Sequence, residues 1–168
     1  FIDKSDKKNA NSTNFVTYQC HQLIYIDADA CPVKNETINV GLRHKIEIFI
    51  VSNGGIRPNP NPMVHTIIVE RGMDVADKWI SSRVKKFDIV ITNDMPLAFD
   101  VIKLGALVLT PYGKKLSSAN IGQILATRNL MHELRSIDNF MQGKGNSFSK
   151  KNRSDFLNNL EQVIRSTK

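Results

Sequence analysis

Apolar residues follow two rhythms along this chain. Short, nearly unbroken apolar runs occur at residues 23–27 ("LIYID"), 46–51 ("IEIFIV"), 65–70 ("HTIIVE"), 87–92 ("FDIVIT") and 106–110 ("ALVLT"). Their length and β-branched content predict five strands buried on both faces. Between them the period lengthens to that of a helix. Residues 32–44 open with a proline, which suits a first helical turn. Residues 74–85 place Val75, Trp79, Ile80 and Val84 on one face. Residues 95–105 stop at Gly105, and 117–137 begin with serines able to cap.

Strands alternating with helices predict an α/β fold, a parallel sheet of about five strands with helices on both faces. Winding outward from the middle gives the order 3-2-1-4-5. A glycine- and lysine-rich connection follows, and then an extra C-terminal helix over 155–165. Residues 1–20, rich in Asn, Ser and Lys, read as a flexible N-terminal extension. Residues 21–168 then form one α/β domain, with a basic segment from about 139. The 168-residue length and 41% hydrophobic content suffice for a single core.

A formal charge of +7 favours an anionic partner such as nucleic acid. Residues 141–168 carry Lys144, Lys150, Lys151, Arg153, Arg165 and Lys168 against Asp155 and Glu161. Cys20 and Cys31 have no zinc-site or disulfide spacing. No apolar run has the length of a membrane span, and no signal-peptide plan opens the chain. The expected compartment is the cytoplasm.

The first strand ends abruptly on Asp27, with Asp29 two residues on. Asp94 follows the fourth strand, and Asp74 and Asp77 lie at the start of the helix after the third. In open parallel sheets ligands bind outside the carboxyl ends of the strands, where strand order reverses. The proposed winding brings all these acids to that rim. Each has a purely structural alternative: Asp29, Asp74 with Asp77, and Asp94 can cap helices. Together they repel one another unless a cation neutralises them, and oxygen-only ligands suit Mg²⁺ or Mn²⁺.

"IYIDADACPV", "RGMDVADKWI", "DIVITNDMPLA", "KLGALVLTPYGK" and "NLMHELR" resemble, in that order, the YaiI/YqxD family of uncharacterised bacterial proteins. The resemblance spans residues 23–165 and implies kinship with PIN-like nuclease domains. It implies a metal-dependent nuclease with Asp27, Asp94 and Asp74 catalytic, and Asp27, Asp29, Asp74, Asp77 and Asp94 as ligands of Mg or Mn. The substrate would be RNA or DNA. Lys114 and Lys115 stand as phosphate contacts in a loop where Tyr112 replaces an arginine expected of the family. Lys150, Lys151 and Arg153 extend the candidate nucleic-acid surface.

Two other readings compete. Asp-x-Asp after an apolar strand also opens the haloacid-dehalogenase phosphatases, with Asp27 as nucleophile and Asp29 as general acid. A binding module without turnover would use the basic segment and loop alone. Trp79 reads as core and Tyr112 as the better stacking candidate. Cys31 reads as a small buried side chain, and the four histidines receive no role.

Overall fold

The computed structural model describes residues 21–137 and 147–167. The N-terminal extension, together with Lys144 and Lys168 of the basic segment, lies outside the described residues. Strand β1 (Leu23–Asp27) passes through a 3₁₀ turn at Ala28–Ala30 into α1 (Lys34–Arg43). Then follow β2 (Glu47–Ser52), β3 (Val64–Ile68), α2 (Val75–Ser81), β4 (Ile89–Ile91) and α3 (Met95–Lys103). The chain closes with β5 (Leu107–Leu109), β6 (Lys115–Leu116), α4 (Ile121–Ile137) and α5 (Lys150–Ser166).

The strands form one sheet in the order β3-β2-β1-β4-β5-β6, parallel except for β6. β1 lies in the middle: its Ile24, Tyr25 and Ile26 pair with Ile48, Phe49 and Ile50 on one side and Ile89, Val90 and Ile91 on the other. Alternation along the strand divides these side chains between two cores. Ile24 and Ile26 pack with α1 and with Phe156, Leu160 and Ile164 of α5. Tyr25 packs with Ala76 and Ile80 of α2 and Leu97, Ala98 and Val101 of α3. Each fully buried isoleucine is worth roughly 1.5–3 kcal/mol over an exposed one. Among the described residues no helix is long and apolar enough to cross a membrane.

Several elements depart from the sequence expectation, α4 among them, which begins at Ile121 rather than at Ser117. The edge strand β6 is two residues long and antiparallel, too short to show a period. It exists because the chain folds back through Gly113, whose φ is +87°. A Cβ there would stand 2.8 Å from the α5 backbone at Asp155 and Phe156. Helix α2 stops at Ser81 rather than 85, where the Ser81 and Ser82 hydroxyls bond the carbonyls of Lys78 and Trp79. α1 starts at Lys34, after Val33, rather than at Pro32. α5 begins at Lys150, not 155, because Ser149 caps it by accepting from the Asn152 N–H at 3.2 Å.

Candidate active site

The reversal of strand order falls between β1 and β4. Asp27 follows Leu23 and Tyr25 in the strand's alternation, so it belongs to the face covered by α2 and α3. Thr92, two residues after Val90, belongs to the same face and donates its hydroxyl to Asp27 Oδ2 at 2.9 Å. The same hydroxyl accepts the Asp94 N–H at 2.9 Å. Asp94 Oδ1 in turn accepts from the Leu97 N–H at 2.9 Å and caps α3. One buried threonine therefore joins the end of β1 to the start of α3.

Asp29 does not cap α1. Its Oδ1 accepts from Ser52 Oγ at 2.8 Å and from the Asn53 N–H at 3.1 Å, tying the turn after β1 to the end of β2. Asp74 makes no side-chain cap on α2, and its φ of +61° is left-handed, a conformation that Asp tolerates better than most residues. The capping expectation thus holds for Asp94 and fails for Asp29 and Asp74.

All five acids, Asp27, Asp29, Asp74, Asp77 and Asp94, line a single cleft of about 430 Å³. A smaller recess of about 230 Å³ beside it is bounded by Asp27, Asp29, Asn93 and Asp94. Among the described residues no lysine, arginine or histidine lines either space. The consequence is electrostatic. The Asp77 carboxyl is pushed up to about 6, first by burial and then by Asp94, Asp27, Asp74 and Asp29 in turn. Asp27 is also raised, chiefly by burial; the Thr92 hydroxyl opposes the shift, and Asp29 and Asp94 add to it.

A carboxylate that gives one oxygen to a hydrogen bond keeps lone pairs on the other. Asp27, Asp29 and Asp94 are each held in this way through one oxygen. The donor chemistry, all carboxylate oxygen, fits a hard divalent ion. As the side chains stand, no group of three or more His, Cys, Asp or Glu among the described residues is arranged to hold a metal ion.

The chain matches the family described as "Uncharacterized BCR, YaiI/YqxD family" over residues 25–166. It belongs to that family. A UPF0178 protein of Roseobacter denitrificans is 55% identical over 142 residues, covering 84% of this chain and 94% of the relative. UPF0178 proteins of Ruegeria pomeroyi, 49% identical, and Parvibaculum lavamentivorans, 47% identical, each cover 84% of this chain, and 93% and 92% of their own lengths are matched. No solved structure matches significantly.

In this YaiI/YqxD member the basic candidates scatter. Lys114 lines a separate groove against α4, whereas Lys115 donates to Gln162 of α5 at 3.0 Å. Arg153 pairs with Glu36 of α1 at 2.9 Å, and Lys150 and Lys151 stand exposed at the start of α5. None of these five lines the acidic cleft. Trp79 packs against the α2–α3 core with the Arg83 guanidinium 4.0 Å over its ring. Tyr112 is exposed and packs on Phe148, with centroids 5.8 Å apart. Burial pushes the Cys31 thiol up to about 11, so it is no nucleophile at neutral pH.

Sequence reasoning passed over Thr92, Ser52 and Asp88. Thr92 carries the same signal as Asp27, a polar residue closing an apolar strand. Asp88 marks the opposite rim: it accepts from the Leu23 N–H at 3.0 Å and the Lys85 N–H at 2.8 Å, and joins β1 to β4 at their other ends.

Proposed function

We propose that the acidic cleft is the active site of a metal-dependent nuclease that hydrolyses phosphodiesters of RNA or DNA in the bacterial cytoplasm. The observation that carries the reading is the convergence of Asp27, Asp29, Asp74, Asp77 and Asp94 on one cleft that no cationic side chain among the described residues lines. Such a cluster is costly to keep ionised unless a cation enters. The kinship with PIN-like nuclease domains that the YaiI/YqxD resemblance implies supports the same reading.

Asp27, Asp29 and Asp94 would hold a Mg or Mn ion, with Asp74 and Asp77 closing the site from α2. Bound there, the ion would polarise the phosphodiester and lower the pKa of a coordinated water. Thr92 fixes Asp27 and, through the Asp94 N–H, the start of α3. Ser52 and Asn53 fix Asp29. Asp77, with its raised carboxyl, is suited to hold or release a proton near neutrality.

The test is incubation of a single-stranded oligonucleotide with the full chain and Mn²⁺, beside Asp27→Asn and Asp94→Asn. Cleavage that requires Mn²⁺ and disappears in both variants is the expected result. Release of phosphate from a monoester without any cut in the oligonucleotide would overturn it and favour Asp27 as a phosphatase nucleophile.

A further inference from the structure

Among its residues whose burial is described, helix α4 is buried only where it begins. Ile121 is buried and Ile124 and Leu125 pack partly against the α2–α3 core, whereas residues 126–134 are exposed. Beside this projecting helix lies the groove that Lys114 lines, about 750 Å³ in volume and within the size range of ligand sites. Its helical wall consists of Gln123, Ile124, Thr127, Arg128, Met131 and His132, spaced along one side of α4. Lys114 faces them from the β5–β6 turn. Among the described residues no carboxylate lines this groove, and Glu133, the one acid of α4, is not part of it. Lysine, arginine and histidine thus converge over the apolar surface of Ile124 and Met131.

The position of the groove gives its charge a meaning. The turn carrying Lys114 leaves the carboxyl end of β5, the strand beside β4, whose end carries Thr92 and Asp94. Adjacent strands lie about 4.8 Å apart. Lys114 and Asp94 therefore belong to neighbouring strand ends of one rim, and α4 packs against α3, which Asp94 caps. A polyanion whose scissile phosphate sits at the acids must have its flanking phosphates neutralised elsewhere.

We propose that the groove between Lys114 and α4 binds the backbone of a single nucleic-acid strand continuing from the acidic cleft. Lys114 and Arg128 meet its phosphates, His132 supplies a further hydrogen bond, and Ile124 and Met131 lie against sugars or unpaired bases. A single strand fits better than a duplex, whose bases would be hidden from that apolar surface. The inference takes its ligand from the nuclease reading of the cleft.

Binding of a fluorescein-labelled single-stranded oligoribonucleotide, measured by anisotropy in EDTA so that no cleavage occurs, tests the groove by itself. Lys114→Ala/Arg128→Ala is expected to weaken binding at least tenfold at low salt. The slope of log affinity against log salt should fall by about 1.4, since each phosphate contact on a single strand contributes roughly 0.7. Lys85→Ala/Lys86→Ala, which removes an equal charge at exposed positions beside Asp88 on the opposite rim, is the control and is expected to leave both quantities unchanged. These positions are exposed, so equal thermal melting should show every variant folded.

Unchanged affinity and slope in the Lys114→Ala/Arg128→Ala variant would overturn the proposal, as would equal losses in Lys85→Ala/Lys86→Ala, which would indicate general charge. So would a Lys114→Ala/Arg128→Ala variant that altered sedimentation but not oligonucleotide binding, because the groove would then be a contact between copies. Loss of binding in that variant alongside a wild type that cleaves nothing with Mn²⁺ would support the groove and remove the nuclease reading. Intact Mn²⁺-dependent cleavage with unchanged binding in that variant would remove the groove alone.

Discussion

The Thr92 hydroxyl donates to Asp27 Oδ2 at 2.9 Å across the junction of β1 and β4. Because it also accepts the Asp94 N–H, Thr92→Val breaks two bonds and leaves buried polar groups without partners. A loss of about 1–3 kcal/mol in urea denaturation is expected. Thr92→Ser, which keeps the hydroxyl, should recover most of it. The Asp27 carboxyl should rise further in Thr92→Val, since that hydrogen bond now opposes the shift.

Asp94 combines two roles that one substitution separates. Its Oδ1 caps α3, and asparagine caps about as well as aspartate, so Asp94→Asn keeps the cap. With a like charge removed from the cluster, the metal-free variant should be as stable as the parent or more so. Mn²⁺ should raise the melting temperature of the parent and far less that of the variant. Equal metal-induced shifts would leave Asp94 only its capping role.

Acid should stabilise the metal-free protein. The Asp77 carboxyl stands at about 6 in the folded chain, against about 3.9 when unfolded. Between those values the folded state holds more protons, so the stability conferred by protonation is present at low pH and lost as pH rises through about 6. Asp27 is raised as well and contributes in the same direction. Melting should therefore occur at higher temperature near pH 5 than near pH 7.5. The difference is on the order of 1 kcal/mol after allowing for the solvent exposure of Asp77. Asp77→Asn should flatten the profile, and a profile rising with pH in the parent would contradict the repulsive cluster.

The strands and the acids were legible in the sequence for one reason. A parallel strand buried on both faces must be apolar throughout, so its end is marked by the first polar residue, and Asp27 is that residue. Thr92 was less visible because threonine is an ordinary strand residue, and nothing local shows that its hydroxyl faces a carboxylate two elements away. Asp88 was obscured in the same way, its partners Leu23 and Lys85 being backbone groups. Lys114 and Lys115 are adjacent in sequence, yet they part at the start of an edge strand too short to read. Lys114 ends the β5–β6 turn and faces the α4 groove, whereas Lys115 opens β6 and reaches Gln162 of α5.

The C-terminal segment combines basic charge with core packing, and the two are separable. Phe156, Leu160 and Ile164 of α5 are fully buried against Ile24, Ile26, Ile89 and Ile91, and Asn159 donates to the Gly113 carbonyl at 2.6 Å. Glu161 joins the helix to Arg43 and His44 of the α1 end, and Arg153 joins it to Glu36. Cutting the chain before Lys150 would expose the part of this sheet face that α5 covers, so weak nucleic-acid binding by such a truncation would say nothing about its lysines. Phe156→Ala is expected to cost about 3–5 kcal/mol by leaving a cavity beneath α5. Lys150→Gln/Lys151→Gln, at exposed positions, should leave stability within about 0.5 kcal/mol. If those two lysines contact phosphate, the same double variant should lower the salt slope of oligonucleotide binding by about 1.4. An unchanged slope with unchanged melting would make α5 a structural helix whose basic first turn is solvated surface.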